Sequence, residues 1–192
     1  MSGAEQAVPD ERPMANRHAV RPATPEDVAV LADLAALTFP LACPPSIGPS
    51  DAAAFIAAHL SAARFHDYLA DPTRRVLVVP DESGALVGYA LLVLGEPYDA
   101  DAAAALALRP TVELSKCYVH PSRHGSGVAA ALMAASRATA RDVGAVAMWL
   151  GVNRHNARAQ RFYAKSGFVV VGTKHFTVGT VREDDYVMER AI

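Results

Sequence analysis

The sequence predicts an α+β fold: a mixed, mostly antiparallel sheet of about seven strands with helices on both faces. Three stretches predict it. Arg75–Pro80 and Leu86–Leu94 flank the turn Asp81-Glu-Ser-Gly84 and read as an antiparallel hairpin. The strand-like run from Val112 to Val119 leads through a glycine loop into an alanine-rich helix and then into the wholly apolar Val146–Val152. Such a run is the pattern of a strand with a parallel neighbour. A last helix after Asn156 is followed by strands at Val169–Val178 and Tyr186–Arg190. Meander, βαβ, then αβ and a closing strand describe a layered α+β domain.

In chain order, residues 1–17 are polar and proline-containing, with no apolar stretch of the kind a signal peptide needs. They read as a disordered tail ahead of one domain, 18–192. His18–Pro22 is a short edge strand. Thr24-Pro25-Glu26-Asp27 starts a helix, with a capping residue, proline at the first position and acids facing the dipole; Pro40 ends it. Ser50-Asp51 opens a second helix carrying Phe55, Ile56 and Leu60, and Ala62–Leu69 forms a third. The acidic, alanine-rich stretch from Glu96 to Pro110 has no clear periodicity. The helix from about Gly127 to Val143 turns Val128 and Leu132 inward and ends at Gly144.

A formal charge of −2 gives no electrostatic reason for nucleic-acid or membrane binding, and no apolar run reaches the ~20 residues of a membrane span. Two cysteines, Cys43 and Cys117, without disulfide spacing point to a reducing cytoplasm, and no metal-ligand set is expected.

The loop Ser122–Gly127 is where function shows. Glycines at a helix start leave backbone N–H groups unpaired beside the positive end of the dipole, a site for phosphate or pyrophosphate. Gly125-Ser-Gly127-Val-Ala-Ala130 satisfies the dinucleotide pattern GxGxxG/A. In that motif, however, the glycine follows the strand directly and a ribose-binding acid comes later. Here His120–His124 intervene, and the next strand ends Leu150-Gly-Val-Asn153 without a carboxylate.

His124-Gly125-Ser126-Gly127-Val128-Ala129 resembles instead the acetyl-CoA loop Gln/Arg-x-x-Gly-x-Gly/Ala of the GCN5-related N-acetyltransferases. Asn156 to Phe168 resembles that family's second signature, N-x-x-A-x-x-F-Y-x-x-x-G-F. Two ordered motifs about 30 residues apart are far more specific than either alone. Histidine at 124 departs from the pattern. Trp149–Val152, Gly172–Gly179 and Asp185–Met188 further resemble the PaiA-type spermidine/spermine branch, as does the helix pair from Ser50 to Leu69.

The resemblance implies an acetyl-CoA-dependent N-acetyltransferase acting on a primary amine, with a polyamine or other small amine preferred. The alternatives are a protein lysine or N-terminal acetyltransferase, and an acyl-CoA-binding domain without turnover. Dimers are common in the family, so a homodimer is one expected assembly. The resemblance also implies that backbone groups of Cys117, Tyr118 and Val119 hold the pantetheine arm, one N–H facing the thioester oxygen. The N–H groups from Gly125 through Ala129, including Ser126, Gly127 and Val128, would hold the diphosphate.

Tyr163 is the candidate general acid and a cofactor contact; its plainer reading is a core tyrosine. Glu113 is the candidate base, against a solvated strand-edge glutamate. Asn156 can cap its helix and, by resemblance, reach the coenzyme. His124 is a third phosphate ligand when protonated, or a surface residue, and Arg123 could supply a cation in its place. Arg158, Arg161 and Lys165 read most simply as a solvated face, with a contact to the coenzyme's 3′-phosphate as the alternative. Cys117 is better read as a small buried hydrophobe than as a nucleophile. Glu96, Asp99, Asp101, Asp67, Asp184 and Asp185 could attract a polycation or simply keep loops soluble.

Overall fold

A computed structural model describes residues 18–179 and 181–192; the expected tail lies outside them. Seven strands form one sheet: β1 (Arg21–Pro22), β2 (Arg74–Pro80), β3 (Leu86–Leu94), β4 (Thr111–Val119), β5 (Ala147–Asn153), β6 (Val169–Val178) and β7 (Val181–Ala191). Their order is β1-β2-β3-β4-β5-β7-β6. Only the β4–β5 pair is parallel. Six α-helices accompany them: α1 (Val28–Thr38), α2 (Pro49–His59), α3 (Ala62–Ala70), α4 (Ala100–Ala105), α5 (Val128–Asp142) and α6 (Ala157–Lys165).

Helices cover both faces, as expected. Under α5 and α6, Leu92, Leu114, Met148, Leu150 and Met188 pack with Val128 and Leu132. On the opposite face Val76, Val78, Tyr89 and Leu91 pack against Leu31, Leu34, Phe65 and Tyr68 of α1 and α3, and Trp149 and Val187 against Ala102 of α4. Between those two sets of helices the middle of this second face is left open. At the amino end, Asp27 accepts the guanidinium of Arg21 at 2.6 and 2.8 Å and the Thr24 N–H at 2.8 Å, tying β1 to the start of α1. The Arg21 hydrogen bonds hold the Asp27 carboxyl down at about 2.

Two elements differ from expectation. The Glu96–Pro110 connection contains α4, started by Asp99, whose side chain accepts the Ala102 N–H at 2.9 Å. The last strand begins at Val181, not Tyr186, because β6 pairs with it along the whole hairpin from Val178↔Val181 to Val169↔Glu189.

Two irregularities in β4 shape everything that follows. Its parallel pairing with β5 runs only from Thr111↔Ala147 to Glu113↔Trp149, although β4 continues to Val119 and β5 to Asn153. Beyond Glu113 the two strands therefore part. Against β3, Leu92 faces Leu114 while Leu91 faces Lys116, so Ser115 is an extra residue, a β-bulge. In a regular strand Lys116 would share the face of Leu114. The bulge returns Lys116 and Tyr118 to the face of Glu113 and sends Cys117 and Val119 to the α5 side.

Candidate active site

A cleft of about 790 Å³ opens where β4 and β5 separate. The β4 stretch 113–119 and the β5 stretch 151–153 form its floor. The glycine loop and α6 bound it on the α5 side, and α2, α3, β6 and β7 on the other.

His120-Pro121 ends β4, and a single 3₁₀ turn, Pro121–Arg123, leads into the loop. Gly125 (φ +80°) and Gly127 (φ +98°) both lie in the left-handed region, and Val128 is the first residue of α5. Two such turns aim successive amides into one concavity. The first helical acceptor bond of α5 is Ala131 N–H to Gly127 O, so among the described residues the N–H groups of Gly125, Gly127, Val128 and Ala129 have no backbone partner. Ser126 differs from expectation: its N–H donates to Arg123 O at 3.2 Å, its hydroxyl donates to the same oxygen at 2.7 Å, and it does not line the cleft. The Val128 side chain is fully buried in the core, leaving only its amide for the loop.

His124 is held at both ring nitrogens, Nε2 3.1 Å from Val119 O and Nδ1 3.0 Å from the Arg158 guanidinium. A carbonyl on one side and a guanidinium on the other match an Nε2 that donates and an Nδ1 that accepts, so in this arrangement both ring nitrogens are engaged within the protein. Arg158 belongs to the cleft rim, not to an idle solvated face. Arg123 is occupied by Asp81 at 2.9 Å.

Tyr163 lines the cleft from α6, its ring 5.4 Å from that of Phe162 and 6.0 Å from that of Phe168. Its hydroxyl has no protein partner among the described residues, and burial pushes the phenol well above its usual range. Cys117 and Tyr118 lie near it on the cleft floor; burial lifts the Cys117 thiol to about 12, which removes it as a nucleophile. Asn156 caps α6, its Oδ1 accepting the Ala159 N–H at 3.0 Å. Asn156 also borders the cleft.

Glu113 is no solvated edge residue. It is 7 % exposed, its Oε2 has no partner, and desolvation raises its pKa against the pull of Lys174 and Lys116. Across the cleft on β7, Asp185 is equally buried with an unpartnered Oδ1, and desolvation lifts it to about 6. Gly151 makes room for it. A β-carbon there would come 2.8 Å from Lys174 Cε and 3.4 Å from Asp185 Oδ2. Of the other acids singled out in the sequence, four are engaged: Asp99 with Lys174 at 3.2 Å, Glu96 with Arg109 at 2.9 Å, Asp67 with Arg64 at 3.0 Å and Asp184 with Arg154. Lys116, Lys174 and Arg74 line the cleft too and were not anticipated. Lys116 falls within a strand pattern that gives no sign of the bulge turning it.

The model of the acetyltransferase (GNAT) family matches residues 41–168. The chain belongs to that family. An uncharacterized N-acetyltransferase of Mycobacterium tuberculosis is 50 % identical over 166 residues, which is 86 % of this chain and 98 % of the relative. The Escherichia coli L-amino acid N-acyltransferase MnaT is 33 % identical over 104 residues, 51 % of this chain and 56 % of its own. Among solved structures, the PaiA N-acetyltransferase of Thermoplasma acidophilum in complex with coenzyme A superposes with a TM-score of 0.71 at 18 % identity, covering 91 % of this chain and 99 % of that one. The protein is thus an acetyl-CoA-dependent N-acetyltransferase. The cleft suits that co-substrate, with free amides at one end for a diphosphate and a narrow gap between strands for an extended arm.

Proposed function

We propose that this GNAT protein transfers acetyl directly from acetyl-CoA to a small primary amine bound on the Glu113 side of the cleft. The observation that carries the reading is the parting of β4 from β5. One gap is thereby bordered by the Tyr163 phenol and the Cys117–Val119 backbone on one side and by two buried carboxylates, each with one unpartnered oxygen, on the other.

An alkylammonium of pKa ~10.4 is protonated at neutral pH and cannot attack. Glu113, directly or through a water, takes that proton, since a carboxylate with a raised pKa is a better base near neutrality. The nitrogen lone pair then forms the C–N bond, and the oxyanion faces an N–H of the 117–119 stretch. As the C–S bond breaks, the thiolate takes the Tyr163 proton; the second proton that the attacking nitrogen sheds as it becomes an amide restores the phenol, and Glu113 returns the first to solvent. In a dry site a phenol that holds its proton tightly remains able to give it to a thiolate that is equally poorly solvated. The amides of Gly125, Gly127, Val128 and Ala129, with the α5 dipole behind them and Arg158 at the rim, anchor the diphosphate.

The acceptor class is supported by the burial of Glu113 and Asp185, which a small molecule can reach within the cleft of about 790 Å³. The polyamine preference suggested by the sequence is one member of the class. It draws support from the resemblance and from Glu113 and Asp185, although most of the acids first considered for it are already paired. A cytoplasmic location agrees with two free cysteines and with the absence, among the described residues, of any helix long and apolar enough to cross a membrane. Thiol release from acetyl-CoA with spermidine, spermine, amino acids, an aminoglycoside and a lysine peptide tests the reading. Turnover of small amines with intersecting double-reciprocal lines is expected. Turnover of the peptide alone, or coenzyme binding without turnover of any amine, would refute it.

A further inference from the structure

The acceptor side of the cleft carries a second set of charges, of the opposite sign. The Tyr68 ring on α3 is surrounded by three cations. Arg74 stands 5.1 Å from its centroid, Lys116 5.6 Å and Arg64 5.6 Å. All four residues line the cleft. Arg64 and Arg74 have carboxylate partners within their own turns, Asp67 at 3.0 Å and Asp71 at 3.1 Å. Lys116 has neither an ion pair nor a hydrogen bond among the described residues. Desolvation, opposed by Glu113 and aided by Arg74 and Arg64, pulls it down to about 8.

An unpaired ammonium beside two guanidiniums in a poorly solvated cleft is costly, and so is an unpaired buried carboxylate. Both occur here on one face of one strand. The Ser115 bulge returns Lys116 to the face that Glu113 already occupies, yet the two form no ion pair with each other. The cations are not a diphosphate site. Arg74 shares a cross-strand row with Val93 and Glu113, six residues or roughly 20 Å along β4 from Val119, where the glycine loop begins. A polyamine would satisfy the carboxylates and be repelled by the three cations.

We propose that the acceptor is an amine that also bears a carboxylate, an amino acid or close analogue, with its carboxylate seated on Lys116 and Arg74 beside the Tyr68 ring and its amine turned toward Glu113. The proposal rests on the small-amine reading above and narrows it. In this proposal Lys116 is a specificity-determining residue, its side chain holding the acceptor.

Matched pairs test it. Initial rates are measured with L-methionine against 3-(methylthio)propylamine, L-phenylalanine against phenethylamine, and spermidine. The expected result is a kcat/KM more than tenfold higher for each amino acid than for its carboxylate-free partner. In Lys116→Met that ratio falls toward one, chiefly through a higher KM for the amino acid, and Lys116→Arg restores part of it. Acetyl-CoA binding by calorimetry reports that each variant is folded. Equal use of the paired compounds by the wild type, preferred use of spermidine, or a preference that survives Lys116→Met would overturn the carboxylate site while leaving the small-amine reading in place. If no small amine of any kind is acetylated by protein that binds acetyl-CoA, the small-amine reading fails, and the carboxylate site with it.

Discussion

Gly125→Ala separates a coenzyme cradle from an ordinary turn. At φ +80° an added β-carbon would meet nothing within 4 Å, so its cost is conformational, not a clash. Holding an L-residue in the left-handed region costs about 1–2 kcal/mol. Gly144, just past the far end of α5, is a matched control, with φ +79° and nothing within 4 Å. Fifteen helical residues, or about 22 Å, separate it from the loop. Both substitutions carry the same strain, which must surface somewhere. In Gly144→Ala it surfaces only as lost stability. In Gly125→Ala the free loop relaxes toward negative φ, the aimed amides are lost, and recovering them is charged to binding. Acetyl-CoA affinity then falls by a factor of roughly 5–30, the equivalent of those 1–2 kcal/mol. Titration calorimetry with acetyl-CoA, alongside urea unfolding, reads both quantities. If Gly125→Ala binds acetyl-CoA like wild type and merely loses the stability that Gly144→Ala loses, the loop is a helix entry and not a diphosphate site.

Tyr163→Phe removes the proposed proton donor without disturbing its ring packing, so kcat drops well over tenfold while acetyl-CoA affinity holds; wild-type turnover would take Tyr163 out of the mechanism. Glu113 must be ionised to act, so kcat/KM rises with pH through its raised pKa, and Glu113→Gln abolishes that limb; an unchanged pH profile would clear Glu113 of the role. Asp185 binds its proton more tightly folded than unfolded, so its contribution to stability declines as pH rises from near 3.8 to about 6 and is flat above that. Melting temperatures of Asp185→Asn across that range should lack this decline relative to wild type, and parallel curves would show that Asp185 is not perturbed.

The parts of this protein legible in its sequence are those that local chemistry decides. The hairpin about Asp81–Gly84, the capping of α6, the glycine loop and the apolar runs of β2 and β3 depend on residues close in the chain. The seven-strand mixed sheet followed from them. What escaped depends on partners distant in sequence. Helix α4 is almost all alanine, so it shows no polar and apolar sides. The start of β7, Val181-Arg-Glu-Asp-Asp, looks like a polar loop and is a strand only because β6 lies alongside. The His124–Arg158 contact joins residues 34 apart and moves the rim cation from the loop to α6. Glu113, read as a candidate base or an edge residue, could be told apart only by the burial that the fold imposes.

The Ser115 bulge shows why the acceptor site was the least legible part. With β4 regular, Lys116 would point under α5 among Leu114, Leu132 and Met148, where an ammonium without a partner could not be kept. Cys117 and Val119, which pack in that core, would then face the aromatic layer of Tyr89 and Tyr68. One inserted residue resolves this conflict. Before it, β4 pairs with β5 and buries Glu113; after it, β4 leaves β5, returns its small apolar side chains to the core and offers Lys116 and Tyr118 to the cleft. The strand separation and the reversal that puts unlike charges on one face of the cleft thus occur within three residues of the same strand. A change that straightened β4 would be expected to remove both together.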